Sequence, residues 1–311
     1  MTGAAPDPVG KAEVCVVGCG VVGGGWALAF ARAGHRVALH DSSPGQAERC
    51  LESIAGALGG LERHGALTDP WEVLARLRPA ADLEDAVAGA AYVQESVIED
   101  AAVKTRLFQD MDAVASPDAI LASSTSAILP TRFLEDVAGR RRCLVAHPFN
   151  PPHLIPLVEV VMTPWVDEDV VDATVALLRS VGQAPIVLRR EIEGFVGNRL
   201  QAAVVNEAMN LVRLGVVSPA DLDRCMKDGL GRRWAFLGPL ETMDLNAPAG
   251  FAEYADKFGA SYQQLGRQLG VAEPWSDLAA QQVEDWRRSE TPAGGVAAIQ
   301  AWRDLMLLRL S

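Results

Sequence analysis

The chain has 311 residues, enough for two ordinary domains with a core each. At 49% hydrophobic and 22% charged residues it has the balance of a globular protein, which excludes a disordered chain. A formal charge of −12, with lysine only at Lys11, Lys104, Lys227 and Lys257, argues against nucleic acid and against an anionic membrane surface, since both need clustered cations. The five cysteines, Cys15, Cys19, Cys50, Cys143 and Cys225, are odd in number and lack C-x-x-C spacing. That excludes a disulfide framework and a zinc site and points to a reducing, cytoplasmic compartment. Residues 1–10 have neither the basic start nor the apolar core of a signal peptide, and no apolar run approaches the ~18–20 residues of a membrane span.

In chain order, residues 1–11 read as a disordered tail. From residue 13 to about 190, short apolar runs alternate with helical patterns. The runs are 14–17, 37–40, 91–93, 120–123, 144–146, 157–161 and 186–188; the helical patterns include 23–33, 46–63, 101–114 and 168–180. This alternation predicts an α/β domain over 12–192, a Rossmann-type, mostly parallel, doubly wound sheet. Residues 46–63, continuing to about 77, are longer than a crossover needs, so residues 46–80 read as a helical excursion from the sheet. After Gly194 the pattern changes. Amphipathic helices are expected over 195–214, over 219–227 with Ser218 as N-cap, and near 251–269, 276–288 and 293–310. Residues 193–311 thus form an all-helical C-terminal domain with no strand signal.

The first apolar run leads into Gly18-Cys19-Gly20-Val21-Val22-Gly23, a helix, a second strand and then Asp41. Strand, glycine loop, helix, strand and acid in this order are what a dinucleotide needs. Gly18 makes the tight turn, and Gly20 admits the pyrophosphate to the helix-start amides of Val21 and Val22. Gly23 lets helix and strand pack closely. Asp41 accepts from the ribose hydroxyls and repels a 2′-phosphate, so the expected cofactor is NAD and not NADP. Cys19 within the loop reads as a small space-filler. Glu99 and Lys104 follow the strand near residue 93. Spacing alone reads them as a helix-start acid and a surface lysine; a position at the carboxyl end of a strand would instead bring them to the nicotinamide half of the cofactor.

His147 follows a short strand, and Glu159 follows a turn holding Pro151, Pro152 and Pro156. Oxidation of a hydroxyl needs a base, and histidine suits that task near neutral pH. A carboxylate on its other ring nitrogen would fix the tautomer, while Ser126 and Asn198 could donate to the substrate oxygen. A structural histidine and an exposed glutamate fit the same spacing, which does not choose between these readings.

Gly18, Gly20 and Gly23 with Asp41, Glu99 with Lys104, Ser124-Thr125-Ser126, His147-Pro148-Phe149-Asn150-Pro151, Leu157-Val158-Glu159 and Gly194-Phe195-Val196-Gly197-Asn198-Arg199 together form a recognisable set. In order and spacing, over nearly the whole chain, they resemble the 3-hydroxyacyl-CoA dehydrogenase superfamily. Residues 146–159 and 229–243 are most similar to its lambda-crystallin and L-gulonate 3-dehydrogenase branch. The resemblance implies His147 as general acid/base, Glu159 as its partner, Ser126 and Asn198 as ligands of the substrate oxygen, and Glu99 and Lys104 as cofactor contacts. It also implies a homodimer built largely through the helical domain.

The substrate is expected to be a small hydroxy acid. Residues 51–83 hold no lysine, only Arg63, His64, Arg76 and Arg78, which weakens the case for the several phosphate charges of coenzyme A. Arg233 could clamp the carboxylate of a free 3-hydroxy acid, or be a surface arginine beside Arg232. The leading expectation is an NAD-dependent dehydrogenase for an L-gulonate-like acid. The alternatives are a 3-hydroxyacyl-CoA, carnitine or polyketide β-keto substrate, the last by ketoreduction. A bulkier ligand would suit the tryptophans Trp234, Trp275, Trp286 and Trp302, which serve equally as core or interface. A reading from another class is a crystallin-like structural or NAD-binding protein without turnover.

Overall fold

The computed structural model describes residues 13–63, 69–269, 275–291 and 295–308; the expected tail over 1–11 and His64 lie outside them. Two compact units divide the chain, one within Met1–Val196 together with Asp304–Ser311, the other Gly197–Arg303.

In the first unit the strands are β1 (Glu13–Val17), β2 (Val37–His40), β3 (Leu77–Pro79), β4 (Ala90–Glu95), β5 (Ile120–Ser123), β6 (Cys143–Pro148), β7 (Leu157–Val161) and β8 (Ala184–Leu188). They form one sheet in the order β3-β2-β1-β4-β5-β6-β7-β8. The helices between them are α1 (Val21–Arg32), α2 (Gln46–Arg63), α3 (Pro70–Leu74), α4 (Leu83–Val87), α5 (Ala101–Val114), α6 (Thr131–Leu134) and α7 (Glu168–Ser180). Strand order reverses at β1, which pairs with β2 on one side and β4 on the other. In such sheets a ligand crevice opens at the carboxyl ends of the strands flanking that reversal.

All pairs are parallel except β6–β7. The connection over residues 149–156 is too short to carry a crossover helix, so the chain returns beside β6 in the opposite direction. Residues 77–79, placed within the helical excursion by the sequence pattern, instead pair with β2 as an edge strand. The helical pattern does not run on to them: α2 ends at Arg63, and Asp69 caps a new short helix that has Pro70 in its first turn. Among the described residues nothing pairs beyond β3 in the sheet, the edge position that Pro79 requires.

Side chains alternate across the sheet and build two cores. Val14 and Val16 pack with Trp26, Phe30 and Tyr92 on one face. Cys15 and Val17 pack with Phe108, Met111 and Phe133 on the other. Both faces are covered by helices, which is why the parallel strands read as continuous apolar runs.

The described residues of the second unit are helical: α8 (Gly197–Arg213), α9 (Pro219–Cys225), a π-helical turn (Met226–Leu230), α10 (Gly231–Trp234), α11 (Pro239–Asp244), α12 (Phe251–Gly266), α13 (Asp277–Glu290) and α14 (Val296–Leu308), whose end from Asp304 counts with the first unit. Ser218 caps α9 through the Asp221 amide, as its position predicts. The core of this unit is thin. Among its described residues Val212, Ala247 and Ala279 are the buried apolar side chains, while Leu200, Phe236, Leu240, Leu245 and Tyr262 are exposed.

Phe30 is fully buried, stacks on Trp26 at 5.4 Å and meets Tyr92 at 5.8 Å. Phe30→Ala is expected to lower stability by about 3–5 kcal/mol, through lost transfer energy and the cavity left behind. Urea unfolding followed by circular dichroism measures this.

Candidate active site

The glycine loop leaves β1 through Gly18, whose φ is +96°. A Cβ there would lie 2.6 Å from the Ser96 carbonyl, and one on Gly23 would lie 1.9 Å from the Gly18 oxygen. Both positions therefore require glycine, one for conformation and contact, the other for contact alone. Gly20 is different: no atom lies within 4 Å of where its Cβ would stand. It is the N-cap of α1 and gives the helix no side-chain cap, so the first amides, those of Val21 and Val22 among them, have no capping acceptor at the positive end of the helix dipole. A concavity of backbone donors with room for an anion fits a pyrophosphate.

Asp41 stands at the end of β2, where its Oδ2 accepts from the Cys19 amide at 2.8 Å and its Oδ1 from the Ser43 amide at 2.9 Å. Gln46 donates to the Cys19 carbonyl at 2.9 Å. The acid thus holds the glycine loop while a carboxylate's remaining lone pairs stay available to ribose hydroxyls. Cys19 is buried, and the neighbouring Cys50 sulfur together with burial pushes its thiol well up, in keeping with a space-filler.

At the carboxyl end of β6, His147 pairs in register with Glu159 of β7. Its Nδ1 is 2.8 Å from Glu159 Oε2. Glu159 is fully buried, and its Oε1 accepts from the Val196 amide at 2.8 Å. The Val196 amide is delivered by a turn in which Gly194 and Phe195 have φ of +74° and +47°. For phenylalanine that conformation costs about 1–3 kcal/mol and needs over-determination by its surroundings. Those surroundings are tight: Phe195 is fully buried with its ring 5.6 Å from that of His147. Phe149 lies 5.6 Å from the same imidazole. The histidine is therefore held by a carboxylate on one nitrogen and by two aromatic rings, with Nε2 as the nitrogen left to meet a hydroxyl.

The turn after β5 carries Ser126, which is exposed. Glu99 Oε1 accepts from Thr125 Oγ1 at 2.5 Å and from the Ser126 and Ala127 amides at 2.9 and 3.0 Å. Burial works against ionisation of Glu99, but these hydrogen bonds and the Lys104 charge outweigh it and hold its carboxyl below the usual range. Glu99 does not cap α5; Asp100 does, by accepting from the Val103 amide. Lys104 is no surface lysine either: it is 1% exposed and donates to Glu95 at 2.7 Å. Sequence reasoning missed Glu95, a glutamate closing an apolar strand, and, although Gly194–Arg199 stood in the recognisable set, it did not read the Phe195–Val196 turn as the partner of Glu159.

Asn198 and Arg233 belong to the second unit. Asn198 is the second residue of α8, and Arg233 is exposed on α10, after the π-helical turn. Such turns recur at functional sites. Arg233 lies near enough to Tyr254 to act on it electrostatically, and Tyr254 shares a 3.0 Å hydrogen bond with Tyr262. Among the described residues no cluster could hold a metal ion, and no helix is long and apolar enough to cross a membrane.

Comparison with known proteins shows the family. Residues 13–192 match the family model described as the 3-hydroxyacyl-CoA dehydrogenase NAD binding domain, and residues 194–283 match the C-terminal domain of the same family. A lambda-crystallin homolog of Bos taurus is 44% identical, covering 99% of this chain and 97% of its own. An L-carnitine dehydrogenase of Pseudomonas putida is 33% identical over 94% of this chain and 90% of its own. Among solved structures, a 5-formyl-3-hydroxy-2-methylpyridine 4-carboxylic acid 5-dehydrogenase, described as an NAD+-dependent dismutase, superimposes with a TM-score of 0.81 at 27% identity, covering 96% of each chain.

A methyl group at Gly20 would fill the open space at the α1 N-terminus without touching protein. Gly20→Ala is expected to leave the unfolding midpoint unchanged and to weaken NAD binding about tenfold or more, as titration calorimetry would read.

Proposed function

This chain belongs to the 3-hydroxyacyl-CoA dehydrogenase family, whose members are NAD-dependent oxidoreductases, and on that premise we propose that it interconverts a free 3-hydroxy acid of the L-gulonate type with its 3-keto acid. The observation that carries the reading is the His147–Glu159 pair, buried and joined at 2.8 Å through Nδ1.

When bound, NAD supplies the hydride acceptor. Glu159 holds the proton of His147 on Nδ1, so that Nε2 presents a lone pair and can take the hydroxyl proton. The carboxylate then stabilises the imidazolium, as in a serine-protease triad. Reversal follows with the same groups: the imidazolium returns its proton to the keto oxygen. Ser126 donates a hydrogen bond to the substrate oxygen, and Asn198 is assigned the same task by the family resemblance. Gly18, Gly20, Val21, Val22, Gly23 and Asp41 hold the cofactor, with Glu99 at its nicotinamide half.

Arg233 clamps the substrate carboxylate. A free acid is preferred to a thioester because two of the three arginines of residues 51–83 are engaged elsewhere, which leaves Arg63 alone for the several phosphate charges of coenzyme A. Arg76 donates to the Ala31 carbonyl and pairs with Glu72, while Arg78 pairs with Glu13 and Asp85. The relative named for a pyridine carboxylic acid supports the same choice.

The active form is a homodimer through the helical unit, whose exposed apolar side chains outnumber its buried ones. All five cysteines are unpaired, which suits a cytoplasmic enzyme.

With NAD and L-gulonate, NADH formation is expected and should fall about 10²- to 10⁴-fold in His147→Gln. Turnover confined to 3-hydroxybutyryl-CoA or L-carnitine would overturn the substrate, and NAD binding without turnover of any of them would overturn the enzyme reading. Arg233→Met should raise KM for the acid about tenfold while leaving NAD affinity unchanged. Sedimentation equilibrium should return twice the chain mass; a monomer would remove the dimer.

A further inference from the structure

Lys104 has an enclosed charge that the proposed chemistry does not use. Its ammonium faces Glu95 Oε1 at 2.7 Å, the Val97 carbonyl at 3.5 Å and Glu99 Oε2 at 3.6 Å. An ammonium has three protons, and here each has a protein oxygen to face.

Glu95, fully buried at the end of β4, is equally committed. Its Oε1 also accepts from the Val97 amide at 2.6 Å, and its Oε2 accepts from Ser123 Oγ at 2.5 Å. Ser123 Oγ in turn accepts from the Thr125 amide at 3.1 Å. At the other end, Glu99 grips Thr125, Ser126 and Ala127, and Thr125 Oγ1 accepts from the Ile128 amide at 3.0 Å. Both branches from Glu95, one through Ser123 and one through Lys104 and Glu99, therefore end on the same turn, the one that carries Ser126.

A buried ion pair is weak evidence for stability, because an apolar pair of similar volume does as well. Its distinct effect is orientation. The Glu99 side chain is 41% exposed and in water could swing outward; the enclosed Lys104 charge draws it in over the turn.

We propose that Glu95 is a positioning residue of the dehydrogenase reaction, acting through Lys104 and Glu99 to fix the turn at residues 124–127 and so the aim of the Ser126 hydroxyl. Lys104 is then a link in that chain. The kinetic part rests on the reading of Ser126 as a ligand of the substrate oxygen; the ordering of the turn does not.

The test uses Glu95→Gln in the full chain, with residue-resolved amide exchange and a double-mutant cycle against Ser126→Ala, assayed with NAD and L-gulonate. The Ser126 and Ala127 amides should exchange about tenfold faster or more, while those of Val160 and Val161 keep their protection. Turnover should fall about tenfold or more, and Glu95→Gln should add nothing to the loss in Ser126→Ala. Unchanged exchange at Ser126 and Ala127, or losses that multiply in the double variant, would overturn the proposal. Should Ser126→Ala alone keep full turnover, the role of Ser126 falls and the exchange data alone decide the positioning. If the uncompensated Lys104 charge prevents folding, Glu95→Gln combined with Lys104→Met removes the pair together, and the same readouts are expected.

Discussion

One reversal of strand direction governs the site. Because β7 runs antiparallel to β6, Glu159 stands opposite His147 and not on a distant turn. A slip of one residue in that register would turn Glu159 to the other face of the sheet and leave a carboxylate buried without its partner. The register is held from both sides. Val160 and Val161 fill opposite cores of the sheet, and the Val196 amide caps the second carboxylate oxygen. The unfavourable backbone of Phe195 is tolerated because it is part of this closure: the residue that supports the imidazole ring directly precedes the amide that satisfies the glutamate.

The charges of the first unit follow a consistent division. Cations near the strand ends are satisfied within the protein, as with Lys104 and Glu95, or Arg142 with Asp112 and the Ser116 and Ala119 carbonyls. The backbone amides at the start of α1, where no side-chain cap competes, are the donors offered to an anion. A protein of net charge −12 thereby offers a local positive potential without gathering lysines, which is the physical content of a glycine-rich loop in an acidic chain.

The two units differ in how they gain stability. The first buries a doubly covered sheet whose strands are apolar on both faces. The second consists of amphipathic helices whose apolar stripes find few buried partners within the unit. Helical propensity alone does not stabilise such segments in water, so they depend on further burial. That dependence gives the proposed dimer a physical motive beyond family resemblance.

Local periodicity and glycine chemistry mark what an unfolded chain already specifies. The alternation of short apolar runs with helical patterns carried the sheet and the bounds of α2, α5 and α7, and Gly18, Gly20, Gly23 and Asp41 carried the cofactor. Residue chemistry made His147, Glu159 and Ser126 legible as candidates, but only the resemblance to a family favoured the catalytic reading over the structural one, because histidine and glutamate twelve residues apart have no fixed relation until strands pair. Other features had no local signal at all. Leu77–Pro79 is too short for a period and became a strand only because β2 offered an open edge. Lys104 and Glu95 look like ordinary helix and strand-end charges, and their burial follows from α5 packing on β5, which brings Lys104 to Glu95 at the end of β4. Tertiary structure alone decided which charges are enclosed, since burial and ion pairing depend on segments distant in sequence, whereas periodicity and turn chemistry act within a few residues.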